Sequence, residues 1–159
     1  MGDKFPITEA GFIKMEAELN DLKKVQRPKI SAEIAAAREH GDLKENAEYH
    51  AARDKQSFCE GRISELEDKI ARAEVIDITR LSIDNIKFGA SVRLVDEDNE
   101  KEITYQIVSE YEADLNNNKI SVVSPLAKAL IGKEIGDHIE VNTPRGEKSY
   151  EVLSIKYEG

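Results

Sequence analysis

Apolar residues recur every three or four positions through the first part of the chain. The first such stretch follows Thr8, a favourable helix N-cap, and Glu9, whose negative charge suits the first turn of a helix. Its apolar positions are Phe12, Met15, Leu19 and Leu22, and they resume as Ile30, Ile34 and Ala37. Alternating steps of three and four predict a helix that carries a coiled-coil seam.

The spacing changes midway along this helix, where Leu22, Gln26 and Ile30 follow one another in two steps of four. Such a pair of steps is a stutter in the heptad repeat, and it unwinds a supercoil locally. Pro28 lies in the same place and removes one helical hydrogen bond. We therefore expect a kink here and not the end of the helix.

A second periodic stretch keeps steps of three and four without a break. Its seam positions are Tyr49, Ala52, Gln56, Cys59, Ile63, Leu66, Ile70 and Ala73. The segment between the two stretches, from His40 to Asn46, is long enough only for a reversal, and Gly41 is typical of a helix end. The sequence therefore predicts an antiparallel helical hairpin, whose turn lies about 40–45 Å from its base at ~1.5 Å per residue.

From Ile83 onward, alternating and β-branched residues replace the helical period. Five segments predict short antiparallel strands, at residues 90–95, 103–108, 120–123, 138–141 and 150–155. Ser124 followed by Pro125 predicts a short helix that runs through Leu130 and stops at Gly132. The second part of the chain is therefore a β-rich domain with one short helix.

These elements predict an α+β protein of two small domains, a coiled-coil hairpin at residues 1–77 and a β-sheet domain at residues 78–159. Charged residues make up 35% of the chain and aromatic residues 6%, a balance that suits a long, exposed two-helix element. No segment approaches the roughly eighteen apolar residues of a membrane span, and the first residues lack the features of a signal peptide. We therefore expect a soluble, cytoplasmic protein.

The overall charge argues against binding nucleic acid directly. The formal net charge is −9, from 23 basic and 32 acidic residues, whereas a chain that binds phosphates by itself normally carries a basic surplus. One cysteine and three histidines offer no ligand set for a structural zinc ion. Any action on nucleic acid must therefore depend on a partner protein or on a local basic patch.

The predicted turn of the hairpin presents two carboxylates, Asp42 and Glu45, that have no part in the seam. Mg²⁺ prefers about six oxygen ligands and typically takes only one or two carboxylates from a protein. The tip alone is therefore not expected to hold a metal stably, and it becomes catalytic only if a partner supplies further ligands and a phosphodiester. The alternative is that both acids merely solvate a turn.

Basic residues lie within about three helical turns of the acidic pair. They are Arg38, Lys44, Arg53 and Lys55. Such a patch is able to steer a single RNA strand by electrostatic attraction, although ordinary charge on the outside of a coiled coil has the same appearance. From the residues alone, both interpretations remain open.

Two long motifs resemble a known family. The stretch from His40 to His50, continued by residues 58–63, resembles the signature of the bacterial Gre transcript-cleavage factors, a family of transcription elongation factors. The stretch from Ile120 to Lys133 resembles the family's second signature. The likeness extends over nearly the whole chain, and the small number of basic residues beside the tip is typical of the family's A type.

The resemblance implies an accessory factor that is not itself an enzyme but activates RNA cleavage by RNA polymerase. It implies that the hairpin enters the polymerase secondary channel and that an FKBP-like C-terminal domain binds the channel rim. The second signature places docking at Ser124, Pro125 and Leu126. Asp42 and Glu45 are then expected to help hold Mg²⁺ shared with the polymerase and to orient the attacking water.

The resemblance also implies that the chain stimulates cleavage of backtracked nascent RNA and so rescues arrested complexes. The basic patch is then expected to contact the 3′ end of that RNA. We expect a monomer with no membrane partner and with no cofactor of its own in isolation. Two alternatives come from other classes: a prolyl isomerase, suggested by the FKBP-like fold, and a purely structural coiled-coil adaptor. The few aromatic residues of the second domain and the lack of tryptophan argue against a proline pocket. A paralogue that only blocks the channel is a further alternative.

Overall fold

A computed structural model describes residues 3–80 and 84–157 of the chain. The described residues form two compact units, one made of residues 12–73 and the other of residues 3–11 together with residues 74–157. Ile83, where the strand-like sequence pattern begins, lies outside the described residues. The sequence-based division after Asp77 treated the domains as consecutive stretches, whereas residues 3–11 belong to the same unit as the C-terminal part.

A two-stranded sheet explains this grouping. Strand β1 (Phe5–Thr8) pairs with strand β2 (Ala73–Ile76), and Ile7 of β1 is fully buried. The sequence pattern predicted neither strand, because each has only four residues and its partner lies far away along the chain. Pairing of this kind depends on tertiary structure rather than on local preference.

The helical hairpin is confirmed. Helix α1 (Glu9–Asp21) continues through a π-helical turn (Leu22–Gln26) into helix α2 (Arg27–Arg38), and helix α3 (Ala47–Arg72) returns along it. The buried seam lies where the periodicity predicted it and contains Ile30, Ile34, Ala52, Cys59 and Ile63, with Leu19, Leu22 and Tyr49 packed against them. At ~1.5 Å per residue, α3 alone spans about 40 Å.

The expected interruption of the first helix takes the form of the π-helical turn. The N–H of Arg27 donates to the carbonyl of Leu22, five residues earlier. Because an i→i+5 turn takes up more residues than an α-helical turn, it absorbs the two steps of four and keeps the stutter positions facing the seam. Pro28 lies at the start of α2, where a missing N–H is tolerated.

The second unit contains a five-stranded sheet. Its strands are β3 (Ser91–Asp96), β4 (Glu102–Val108), β5 (Lys119–Ser121), β6 (His138–Thr143) and β7 (Gly146–Lys156), in the order β5-β4-β3-β7-β6. All neighbours are antiparallel except β4 and β5, which are parallel. The expectation of an entirely antiparallel set was wrong at β5, because residues 109–118, with a 3₁₀ turn at Leu115–Asn117, return the chain to the same end of the sheet.

Helix α4 (Pro125–Leu130) forms as the sequence predicted and packs on this sheet. The Ser124 hydroxyl accepts a hydrogen bond from the N–H of Ala127 at 3.2 Å, and Gly132 follows the helix with φ +89°. Ala127 and Leu130 are buried in a core built from residues of all five strands. The α+β fold class predicted from the sequence is therefore confirmed. Within the described residues, no helix combines the length and apolar composition that crossing a membrane requires.

Candidate functional site at the hairpin tip

Helix α2 ends in a tight reversal. The N–H groups of His40 and Gly41 donate to the carbonyls of Ala37 and Arg38, each at 3.2 Å. Gly41 then adopts φ +86°, a left-handed conformation that costs glycine little and other residues more. The chain therefore leaves α2 sharply, and Asp42 follows directly.

Asn46 begins the return helix and binds both helix ends. Its side-chain Oδ1 accepts a hydrogen bond from the N–H of Tyr49 at 3.1 Å, so Asn46 is the N-cap of α3. Its Nδ2 donates to the carbonyl of Ala37 in the last turn of α2, at 2.7 Å. One amide side chain thus binds the last turn of one helix and satisfies a free N–H donor at the start of the next.

Asp42 and Glu45 lie in the loop between these two ends, and both side chains are exposed. Neither carboxylate makes a hydrogen bond or ion pair with the described part of the chain. Among residues 3–80 and 84–157, no group of three or more histidine, cysteine, aspartate or glutamate side chains is arranged to hold a metal ion. The carboxylate oxygens of Asp42 and Glu45 are therefore open to solvent.

The four basic residues of the predicted patch do not share one face. Arg53 and Lys55 lie two positions apart on α3, which places them about 200° apart around the helix axis. Lys55 pairs with Glu33 on α2, at an Nζ–Oε2 distance of 3.3 Å. The Arg38 guanidinium lies over the ring of Tyr49, 5.9 Å from its centroid. Arg38 and Arg53 therefore lie on the same side of the hairpin as each other, next to Tyr49. Lys55 lies on the opposite side.

Lys44, the fourth basic residue, belongs to the tip loop itself and is exposed. Its carbonyl accepts a hydrogen bond from Nε2 of His50, at 2.9 Å. Because a carbonyl only accepts, Nε2 of His50 must carry the proton. Nε2 of His40 lies 3.6 Å from Oε2 of Glu48, and both of these side chains are exposed. The histidines at the tip thus contact the loop and the first turn of α3.

Paired charges link the two arms of the hairpin below the tip. Arg62 donates two hydrogen bonds to Glu18, at 2.6 and 2.9 Å, and Arg27 donates two to Glu60, at 2.8 and 2.7 Å. Hydrogen bonds from the arginines lower the pKa of both glutamate carboxyl groups. Because each of these side chains is between one-third and one-half exposed, the pairs favour this helix register but contribute only modestly to stability.

The predicted docking residues surround the start of α4. Ser124 is the N-cap, Pro125 is exposed, and Leu126 is half-buried against the core of the sheet. Val123 just before them is 54% exposed. The segment therefore offers an exposed apolar surface at Val123 and Pro125, whereas Leu126 also serves the fold.

Sequence reasoning missed the double role of Asn46. Asparagine directly before a periodic helix is an N-cap signal, so its role as the N-cap of α3 was predictable from the sequence. The hydrogen bond to the Ala37 carbonyl was not predictable from the sequence, because it depends on how the two helix ends approach each other.

Comparisons with known proteins identify the family. Residues 5–75 match the family model described as transcription elongation factor, N-terminal, and residues 81–157 match transcription elongation factor, GreA/GreB, C-term. The transcription elongation factor GreA of Rickettsia conorii is 65% identical over 99% of this chain and 97% of its own length. GreA of Rhizobium etli is 59% identical over 99% of both chains.

Among solved structures, GreA factor homolog 1 (Gfh1) of Thermus thermophilus is 28% identical, covers 96% of this chain and 99% of its own, and has a TM-score of 0.44. The two family models together span nearly all of the described residues. The chain belongs to the GreA/GreB family of transcription elongation factors.

Proposed function

We propose that this chain binds RNA polymerase through its secondary channel and stimulates the polymerase's own cleavage of backtracked nascent RNA. In this role the chain is an accessory factor, and the polymerase performs the hydrolysis. Arrested elongation complexes then resume synthesis from the new 3′ end. Family membership supports the general role in transcription elongation.

The observation that carries the proposal is the pair of free carboxylates at the tip. Asp42 and Glu45 are exposed at the far end of a hairpin whose return helix has 26 residues. Two acids that merely solvate a turn would not require a helical hairpin of this length. A rod of this length is suited to deliver two oxygen ligands into a deep channel.

The donor set fits a hard cation. Two carboxylates with no protein partner in the described chain match the one or two that Mg²⁺ usually takes from a protein. In two-metal phosphoryl transfer, Mg²⁺ supplies positive charge that stabilises the attacking and leaving oxygens. In our proposal Asp42 and Glu45 complete the ligand set that the polymerase begins, and they accept hydrogen bonds from the attacking water.

The basic residues have a different task in the proposal. Arg38, Lys44 and Arg53 attract the backtracked RNA 3′ end by their charge. Lys55 contributes less, because its charge already faces Glu33. The overall charge of −9 is compatible with this role, since the polymerase supplies most of the contacts to nucleic acid.

The C-terminal unit holds the chain on the polymerase in the proposal. Ser124, Pro125 and Leu126 at the start of α4 form the contact with the channel rim. A cavity of about 190 Å³ in this unit is lined by polar and aliphatic side chains without an aromatic residue, and such a lining does not favour a prolyl isomerase.

The test is transcript cleavage in a backtracked complex of purified bacterial RNA polymerase. We expect wild-type protein to accelerate release of the RNA 3′ fragment, and Asp42→Asn to bind equally well but to accelerate it little. The isolated protein should not cleave RNA, even with abundant Mg²⁺. Normal cleavage by Asp42→Asn would leave only an adaptor or channel-blocking role for the hairpin.

A further inference from the structure

We propose that Asn46 is a positioning residue, which holds the tip loop in the conformation that presents Asp42 and Glu45. The inference rests on the proposed cleavage function and adds a residue to it. The Asn46 side chain makes two hydrogen bonds. It donates one to the carbonyl of Ala37 at 2.7 Å and accepts one from the N–H of Tyr49 at 3.1 Å.

The two partners of Asn46 belong to different helices. Ala37 is 3% exposed and is fixed in the seam, and Tyr49 is half-buried at the start of the return helix. The cross-link therefore joins the two ends of the loop to the rigid part of the hairpin. Few side chains are able to do this, because an amide combines a donor and an acceptor on one short stem.

The loop has a second tether. Nε2 of His50 donates to the carbonyl of Lys44 at 2.9 Å, which fixes the backbone directly before Glu45. His50 is itself exposed, so this bond competes with water and is the weaker of the two contacts.

The carboxylates depend on these tethers because they have none of their own. Asp42 and Glu45 make no hydrogen bond or ion pair within the described chain, so the loop backbone alone sets their positions. Ligands of a catalytic metal must be held within about 0.5 Å of the productive geometry. A misplacement of about 1 Å is able to slow a reaction about a hundredfold.

Two substitutions separate the cross-link from the helix cap. Asn46→Ser keeps a good N-cap for α3, but its shorter side chain does not reach the carbonyl of Ala37. Asn46→Asp keeps the acceptor and the size of asparagine but lacks the donor. Glu48→Gln is the matched control, because it changes an exposed side chain two positions away whose only described contact is with exposed His40.

Three quantities are measured on the full-length protein: affinity for polymerase by competition, cleavage rate at saturating factor, and backbone order of residues 43–45 by ¹⁵N heteronuclear NOE in the free protein. For both Asn46 variants we expect unchanged affinity, cleavage slowed by about tenfold or more, and a lower NOE in the loop. Glu48→Gln should match the wild type in all three.

The outcomes separate this inference from the proposed function. If the Asn46 variants cleave normally while Asp42→Asn is defective, the positioning role is overturned and the proposed function stands. If Asp42→Asn also cleaves normally, the proposed function itself fails. If the Asn46 variants lose affinity while the loop stays ordered, Asn46 contacts the polymerase and does not position the loop, which also overturns the inference.

Discussion

The carboxylate of Glu112 caps the start of α1 through Thr8, which lies 104 positions earlier in the chain. It accepts hydrogen bonds from the N–H of Thr8 at 3.2 Å, from the Thr8 hydroxyl, and from the N–H of Ser109 at 3.1 Å. The Thr8 hydroxyl in turn accepts one from the N–H of Gly11 at 3.1 Å. This network joins residues 3–11 to the C-terminal part of their unit.

Gly11→Ala should destabilise the protein, although alanine is the better helix former by up to about 1 kcal/mol. A Cβ at position 11 would fall on the carboxyl group of Glu112, which its hydrogen bonds hold in place. We expect a loss of about 1–3 kcal/mol in the free energy of unfolding, as for other overpacked sites. Urea denaturation followed by circular dichroism measures it.

A double-mutant cycle identifies the cause. Once Glu112→Ala has removed the carboxylate, Gly11→Ala should become neutral or stabilising. An equal loss in both backgrounds would mean that the glycine is needed for a reason other than Glu112.

Ser109→Ala should be neutral or stabilise the protein by up to about 1 kcal/mol, because burying a hydroxyl group without a hydrogen bond costs free energy. Ser109 is 2% exposed, and its Oγ has no hydrogen-bond partner in the described residues. The matched control is Ser124→Ala, which removes the N-cap of α4 and should cost about 1 kcal/mol. Comparable losses at both positions, measured by urea denaturation, would indicate a hidden partner of Ser109.

The hairpin should lose stability in acid because the pKa of the Glu18 carboxyl is lowered, mainly by hydrogen bonds from Arg62. The unfolded chain therefore takes up this proton first, at about the ordinary value of 4.5. The contribution of the pair is complete above that pH and declines as the pH falls through the lower pKa of the folded state.

Glu18→Gln removes this contribution, so its stability should depend less steeply on pH below about 4.5 than that of the wild type. The effect is modest, because the pair is exposed and screened by solvent. Urea midpoints measured across the acid range test it, with the exposed Glu16→Gln as control. Equal slopes for Glu18→Gln and wild type would show that the pair does not couple folding to pH.

Local periodicity explains why the hairpin was predictable. Ile30, Ile34 and Ile63 are buried where steps of three and four place them, since each seam position depends only on its neighbours along one helix. The stutter and Pro28 indicated an interruption of the first helix. The conformation that the backbone adopts there is a π-helical turn, and it depends on packing against the opposite helix.

Contacts between distant segments were not predictable in the same way. The β1–β2 pair, the parallel placement of β5 and the bonds between Thr8 and Glu112 each join segments that have no local signal for one another. At the tip, Asp42 and Glu45 were recognisable as free acids in a turn. Their support by Asn46 was only half recognisable, because the bond to Ala37 crosses between the helices.

Pro125→Ala should weaken binding to polymerase by roughly fivefold, or about 1 kcal/mol, with little effect on folding. Pro125 is exposed at the first position of α4, so its ring is available to a partner. Leu126 is a poorer probe, because it also packs against the core. Competition binding measures the effect, with the exposed turn variant Arg145→Gln as control. Unchanged affinity for Pro125→Ala would remove this residue from the docking surface.

Asp42→Asn and Glu45→Gln, alone and combined, test whether the two tip carboxylates serve the same ion. Both changes keep size and hydrogen-bonding capacity but remove charge, and both lie in an exposed turn, so each should alter stability by less than about 0.5 kcal/mol. Each single change should slow cleavage by more than about tenfold, which corresponds to ~1.4 kcal/mol of transition-state stabilisation.

The double variant should be only slightly slower than the worse single variant, because two ligands of one ion act as a unit and their effects do not add. If the effects instead multiply, the two acids serve separate tasks, such as binding an ion and orienting water. Cleavage rates at saturating factor distinguish these cases, and competition binding must show equal occupancy of the polymerase for all variants. Exposed charges that merely solvate the turn would leave all three variants as fast as the wild type.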